Sequence, residues 1–347
     1  MSRRATSMDV AAAAGVSQPT VSRALRGEGS VSAETRERVV ESARALNYMP
    51  DRRAARLRSG STGNLALVVL TMPGQDQASI NPLYFALLGA VGVAASARGY
   101  NLLVSFQSAE FRTDYGGARE ADGTIVIGGG RNRTGWRRFS EAAAQGEAIV
   151  AWGAPDDALP TVRCDNRAGA ALVAAHFAEL GRRRIALVCP GWRGQRSYRE
   201  RREGFIDAAR AAGLHAVEAP EVTAASREEQ GHRATLALLA GKSPVDAVFA
   251  ACDLLALGVA RALRERRLAV PDDVALVGFD GIMTTIHTCP AITTVEQDVV
   301  TAGALLVETL LTIIAGARPS PSLVPVRLLE RASSGKTAGR AFSESQA

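Results

Sequence analysis

Cysteine and histidine are scarce in this 347-residue sequence. Cys164, Cys189, Cys252 and Cys289 stand far apart with no CxxC pair, and His176, His215, His232 and His287 show no metal-ligand spacing. Neither a metal site nor a disulfide framework is expected, and the cysteines read as buried small apolar residues. There is no GxSxG, and Gly128-Gly129-Gly130 has neither the GxGxxG spacing nor the lysine of a phosphate-binding loop. No catalytic residue, no cofactor and no enzyme activity is expected. No apolar run reaches the ~18 residues that span a bilayer, so no membrane partner is expected. The opening Met1-Ser-Arg-Arg-Ala-Thr6 has no apolar signal region, which points to a cytoplasmic location. Lysine is nearly absent: only Lys242 and Lys336 occur among 41 basic residues, so arginine supplies almost all the positive charge.

That charge is unevenly placed. Residues 1–60 hold 11 Arg against 6 Asp and Glu, a balance of +5; the remainder holds 30 basic against 29 acidic residues, a balance of +1. The cationic segment opens with Asp9-Val-Ala-Ala-Ala-Ala-Gly-Val-Ser-Gln-Pro-Thr-Val-Ser-Arg-Ala-Leu-Arg26, which reads as helix, tight turn, helix. Thr6 and Asp9 form a capping-box pattern, Gly15 suits the turn, Ser17 is a strong cap, and Pro19 falls in the first turn of the second helix. At 100° per residue Val21, Ala24 and Leu25 share one side of that helix. Gln18, Pro19, Ser22, Arg23 and Arg26 share the other, without a carboxylate. Two guanidiniums on such a face suit a DNA major groove, although an ordinary amphipathic hairpin shows two faces as well. Ser32 predicts a third helix to about Leu46, with Val39, Ala43 and Leu46 packing inward.

The spacing of Asp9-Val-Ala, Ala14-Gly-Val-Ser17, Thr20-Val-Ser-Arg-Ala-Leu25, Val31-Ser32, Thr35-Arg36, Leu46-Asn-Tyr48 and Pro50 resembles the DNA-binding headpiece of the lactose-repressor (LacI/GalR) family of bacterial transcription regulators. On such a headpiece the side chains that can reach base edges are Gln18, Pro19 and Arg23, with Arg26 on the same face; Pro19 departs from the polar residue of some relatives and suits contact with a thymine methyl. The resemblance implies phosphate contacts from Thr6, Ser17, Thr20, Ser22, Ser32, Thr35 and Tyr48. It also makes residues 50–61 a hinge helix whose Leu57 wedges into the minor groove, on a headpiece of residues 1–49.

Beyond Gly63 short apolar runs alternate with helical stretches. The runs are Leu65–Leu70, Leu102–Phe106, Thr124–Ile127, Ala148–Ala151, Ile185–Val188, Ala247–Ala250 and Val274–Val277. Helices are predicted over 83–98, 168–180, 199–212 and 254–266. This alternation predicts an α/β core of two doubly wound lobes with a ligand cleft at the strand ends. The resemblance continues through Asp122-Gly123, Asp165-Asn166, Gly169, Gly204-Phe205, Gly258, Gly278-Phe-Asp280, Thr293-Thr294 and Glu330-Arg331, and implies a periplasmic-binding-protein-like fold. By that analogy the effector and dimerisation core is 62–334. Its N-lobe is about 62–161 with 291–320, its C-lobe about 162–290 with 321–333, and 335–347 is a disordered tail.

Arg201, Asp280 and Gln297 match effector contacts of the family, and Cys252 and Asp253 are expected contacts as well, Cys252 standing where relatives usually carry Asn. Trp152, at a position usually held by Asp, together with Tyr84 and Trp192, could stack on a flatter ligand. The expected protein is a ligand-responsive repressor of a sugar-utilisation or related operon. Its expected partners are double-stranded operator DNA, a sugar or similar polar effector, and a second copy in a homodimer. The alternative is a two-lobe small-molecule (sugar) binding protein without a regulatory role.

Overall fold

The structure is a computed structural model that describes residues 5–26, 30–48, 61–75, 79–241 and 244–335. Leu57, all of the expected hinge except residue 61, and the tail from residue 336 lie outside the described residues. The chain divides into two compact units, Met1–Thr62 and Gly63–Ala347.

The first unit holds three helices among its described residues: α1 (Ser7–Ala14), α2 (Gln18–Arg26) and α3 (Ala33–Ala45). Each begins at a residue chosen for the task. The Thr6 hydroxyl accepts from the Asp9 N–H while the Asp9 carboxylate accepts from the Thr6 N–H at 2.7 Å, a reciprocal box. The Ser17 hydroxyl accepts from the Thr20 N–H at 3.4 Å, and that of Ser32 from the Thr35 N–H at 3.3 Å. Gly15, at φ +64, ends α1 in the left-handed conformation, where a Cβ would be strained. Val10, Val21 and Val39 meet in a small core with Ala14, Ala24 and Ala43. Leu46 departs from expectation: α3 stops at Ala45, so Leu46 follows the helix and lies 37% exposed instead of packing inward.

In the second unit the first lobe is a parallel sheet in the order β2-β1-β3-β4, from β1 (Asn64–Leu70), β2 (Asn101–Gln107), β3 (Thr124–Gly128) and β4 (Ile149–Trp152). Central β1 is apolar from Leu65 onward because both of its faces are covered. Helix α4 (Pro82–Ala97) connects β1 to β2, and α5 (Arg133–Ala144) connects β3 to β4. The chain then passes through β5 (Val162–Cys164) into a lobe carrying α6 (Asn166–Glu179), β6 (Arg184–Val188), α7 (Arg196–Ala211), β7 (His215–Glu218) and α8 (Arg227–Leu239). It continues through β8 (Ala247–Ala250), α9 (Asp253–Glu265), β9 (Ala275–Asp280) and β10 (Thr293–Gln297). Helix α10 (Val299–Ile314) returns to pack on α4, and β11 (Ser322–Val324) pairs with β5 before β12 (Val326–Leu329) completes the second sheet. That sheet runs β12-β10-β9-β8-β6-β7, with β12 its one antiparallel strand. Its interior holds the rings of Phe177, Phe205, Phe249 and Phe279, with successive centroids 6.3, 5.0 and 6.4 Å apart.

Two expectations need correction. Residues 293–297 belong to the second lobe, because β10 hydrogen-bonds to β9 and β12; the chain re-enters the first lobe only at α10. Cys289 is exposed, whereas Cys164, Cys189 and Cys252 are buried as expected.

Candidate DNA-reading face and effector cleft

The burial of α2 follows its sequence pattern. Val21 and Ala24 are 1% and 2% exposed, whereas Gln18, Pro19 and Arg23 are exposed and Ser22 is half-buried. Arg26 closes the helix. The Gln18 amide donates to Ser7 Oγ at 2.9 Å, which ties the start of α2 to α1. Ser17 and Thr20 share a hydroxyl–hydroxyl bond of 2.8 Å, and Ser32 donates to Thr35 at 2.9 Å. Thr6, Ser17 and Ser32 therefore each stand at a helix N-terminus, where backbone N–H groups and the helix dipole favour a phosphate oxygen. Tyr48 packs partly into the three-helix core.

The cleft between the two lobes of the second unit is a cavity of about 130 Å³, a size for a small metabolite and not a polymer. Asp280 is its centre. Strand β9 delivers it at φ +126, a backbone conformation that is costly for a residue with a Cβ and that persists only where surroundings impose it. Arg201 donates to its Oδ1 at 3.1 Å and Gln297 donates to the same oxygen at 2.7 Å. Asn81, from the other lobe, donates to Oδ2 at 2.8 Å and so joins the lobes directly. Arg201 lies over the Phe279 ring at 3.7 Å and also donates to the Asn166 side chain at 2.9 Å and to the Ala251 carbonyl at 2.6 Å. Burial is the largest single influence and works against its charge, but Asp280 and the other groups around it together hold its pKa above the ordinary guanidinium value. Desolvation and the neighbouring Asp280 push the Tyr84 phenol up to about 12, so it is neutral and can donate.

The structure brings Tyr84, Trp152, Arg201, Cys252, Asp280 and Gln297 together in this one cavity. Two expected effector contacts lie elsewhere. Asp253 is fully buried beneath the cleft, accepting from Thr294 Oγ1 at 2.6 Å and from the Ile282 N–H at 2.8 Å, so it fastens the second lobe's strand ends. Trp192 stacks under Arg193 and Arg202, each 4.5 Å from its ring, and does not line the cavity. Sequence reasoning missed Arg131, Arg163 and Arg227, all of which line it. Arg163 is neutralised by Glu200 at 2.8 Å. The Gly128–Gly130 run also acquires a role: a Cβ on Gly130 would stand 2.8 Å from the Gly194 carbonyl of the opposite lobe, so it permits backbone to approach backbone. Residues 108–121 contain no helix; their turn is pinned by Glu147, whose carboxylate accepts from the Gly116 and Gly117 N–H groups at 3.1 and 3.0 Å.

Residues 6–51 match the model for bacterial regulatory proteins of the lacI family, and residues 174–334 match that for a periplasmic binding protein-like domain. The HTH-type transcriptional regulator CelR of Thermobifida fusca is 32% identical over 327 residues, 92% of this chain and 94% of that protein. MalR of Streptomyces coelicolor, another HTH-type transcriptional regulator, is 34% identical over 346 residues, 95% and 96% of the two chains. Among solved structures, a CelR–cellobiose complex superposes with a TM-score of 0.67 at 30% identity, covering 95% of this chain and all of that one. The Lac repressor bound to ONPG in its repressed state superposes with a TM-score of 0.73 at 26% identity, covering 96% and 100%. Among the described residues no helix is long and apolar enough to cross a membrane. The capped three-helix headpiece, the two-lobed core and these full-length relatives agree: the chain belongs to the LacI family of bacterial transcriptional regulators.

Proposed function

We propose that this protein is a dimeric, cytoplasmic transcriptional repressor whose hold on a pseudo-palindromic operator is set by a small sugar-like metabolite in the cleft. Gln18, Pro19 and Arg23 read base edges, and the residues at the helix starts position the headpiece on phosphates. Arg201, Asp280, Gln297, Tyr84, Trp152 and Cys252 meet the effector. The reading assigns the chain no chemical reaction. Effector binding shifts the balance between lobe arrangements, and that shift is passed to the paired headpieces. A sugar as effector is supported by the relative solved with cellobiose.

Dimerisation is supported by an apolar face on the first lobe. Helix α4 has no charged residue and leaves Val93 73% and Phe85 41% exposed, while edge strand β2 beside it exposes Leu103, Val104 and Phe106. Phe85 and Phe106 already pair across the two elements at 6.0 Å. Val93, Phe85, Val104 and Phe106 lie on the α4 side of the strand, and an exposed apolar surface of this kind is characteristic of one that another protein covers.

The observation that carries the reading is the exposed polar face of α2, with Arg23 outward on a headpiece whose helix starts are all capped. Its test is binding to duplexes selected from random sequence. The parent is expected to prefer one site and to lose affinity steeply as salt rises, because phosphate contacts release counterions. Arg23→Ala is expected to lose about 1–3 kcal/mol of discrimination at one base pair in each half-site. A variant that discriminates as well as the parent would overturn the reading.

A further inference from the structure

Among the described residues the cleft is lined by four guanidiniums, Arg131, Arg163, Arg201 and Arg227, and by one carboxylate, Asp280. Two of these cations are accounted for: Arg201 is paired with Asp280, and Arg163 with Glu200 behind it. The other two are not. Among the described residues Arg227 donates to neutral oxygens, Gln230 Oε1 at 2.8 Å and the Pro190 carbonyl at 3.3 Å, and rests 5.0 Å over the Tyr198 ring. The Arg131 side chain has no hydrogen-bond or ion-pair partner among the described residues.

They come from opposite lobes. Arg131 follows β3, and Arg227 is the first residue of α8, where the positive end of the helix dipole disfavours a cation. Desolvation and the field of Arg227 both hold the Arg131 pKa below its ordinary value, so the two like charges feel each other across the cleft. A third unmet donor adjoins them. Gln195 is 7% exposed, lines the cavity, and has a side-chain nitrogen without a partner. Both oxygens of Asp280 are already bonded, as is the side-chain oxygen of Asn166. The other side-chain acceptors of the lining, such as Ser79, Ser197 and Gln297, are neutral and would serve a sugar hydroxyl and an anionic ligand alike. Helix N-termini face the cleft in any fold of this plan, so they do not choose between neutral and anionic ligands. The two guanidiniums that have no carboxylate partner among the described residues do.

We propose that the effector of this protein carries an anionic group, a phosphate monoester or a carboxylate on a small polar molecule, held between Arg131 of one lobe and Arg227 of the other. The inference rests on the cleft being the effector site. It adds that an anion bridging the lobes removes the repulsion between them and so favours their approach.

The test uses the full chain with inorganic phosphate, sodium gluconate, glucose 6-phosphate and glucose as probes, followed by thermal unfolding of the core. Inorganic phosphate is expected to raise the midpoint saturably. Arg131→Gln and Arg227→Gln are each expected to weaken that response by about tenfold, the loss of one charge-assisted contact. Arg227→Lys, which keeps the charge, is expected to retain part of the response. Arg210→Gln, an exposed charge on the far end of α7, should leave it unchanged. A larger shift with glucose 6-phosphate than with gluconate identifies a phosphate ester, and the reverse order a carboxylate. Absence of any phosphate response, equal responses in parent and both cleft variants, or a response to glucose as strong as to either anion would overturn the inference. Operator selection by the parent is measured separately, so its success alongside any of these results refutes the anionic effector without touching the regulator.

Discussion

Asp253 and Asp280 are two carboxylates at neighbouring strand and helix ends with different duties. Asp280 lines the cleft, bonded to Arg201, Gln297 and Asn81; Asp253 lies beneath, bonded to Thr294 and the Ile282 N–H. Desolvation first, and the charge of Asp280 second, push Asp253 up from its ordinary value to about 7. Between about pH 4 and pH 7 the unfolded chain has released this proton while the folded chain keeps it. Raising the pH through that window therefore removes stability, on the order of 4 kcal/mol. Urea unfolding at pH 4.5, 6 and 7.5 should show the parent losing stability relative to Asp253→Asn as pH rises; parallel profiles would refute the account. In the sequence Asp253 and Asp280 looked alike, because both follow apolar runs. What separates them is the direction each side chain takes from its element, which periodicity at a strand-to-helix junction does not specify. Arg131 and Arg227 were harder still: each sits among other arginines and polar residues, and only the meeting of two lobes puts them in one cavity.

Elements in the second lobe are held close by glycines at crossing points. A Cβ on Gly258 of α9 would stand 2.0 Å from the Glu228 carbonyl, and one on Gly231 of α8 would stand 2.2 Å from the Leu255 carbonyl, so each helix accommodates the other's backbone. Gly204 of α7 meets the Arg167 carbonyl of α6 at 2.4 Å in the same sense. Gly278 leaves room for Asp253 itself, whose Oδ1 would lie 2.2 Å from its Cβ. Gly258→Ala is expected to destabilise the core by about 3 kcal/mol, since backbone cannot yield as a flexible side chain can, and its urea midpoint should fall accordingly. A change below about 0.5 kcal/mol would show that the helices can part freely. Gly204, Gly258 and Gly278 were legible as fixed points of a family pattern; their reason, close approach of backbones, was not. The short headpiece helices were legible with their caps. Helices α5, α8 and α10 were not read from the sequence, and neither were the short strands β5, β7, β10, β11 and β12; for the strands the reason is that brief segments whose burial depends on distant partners carry little periodicity of their own.

For the whole molecule, the apolar face formed by α4 and β2 predicts how the chain assembles. Val93→Glu places a charge at its most exposed point and should shift the protein to monomer in sedimentation equilibrium, with operator affinity falling because the two half-sites are no longer engaged together. Unchanged association by that variant and by Phe106→Glu would place the dimer contact on another surface. The bond from Asn81 to Asp280 makes this cleft residue also a lobe-to-lobe contact, so a ligand that competes for Asp280 would act directly on the balance of lobe arrangements.

The sequence by itself determined the headpiece: its caps, its turn glycine and the two faces of α2 are local chemistry, set within a turn or two of chain. It also determined the α/β class, because buried parallel strands must be apolar throughout. Only the tertiary structure decided which lobe owns β10, which of two similar aspartates meets the cleft, and that arginines from separate lobes share it. The physical reason is distance along the chain. Pairing of strands, burial of a carboxylate and repulsion between two guanidiniums each depend on residues tens to hundreds of positions apart, brought together only by the folded core.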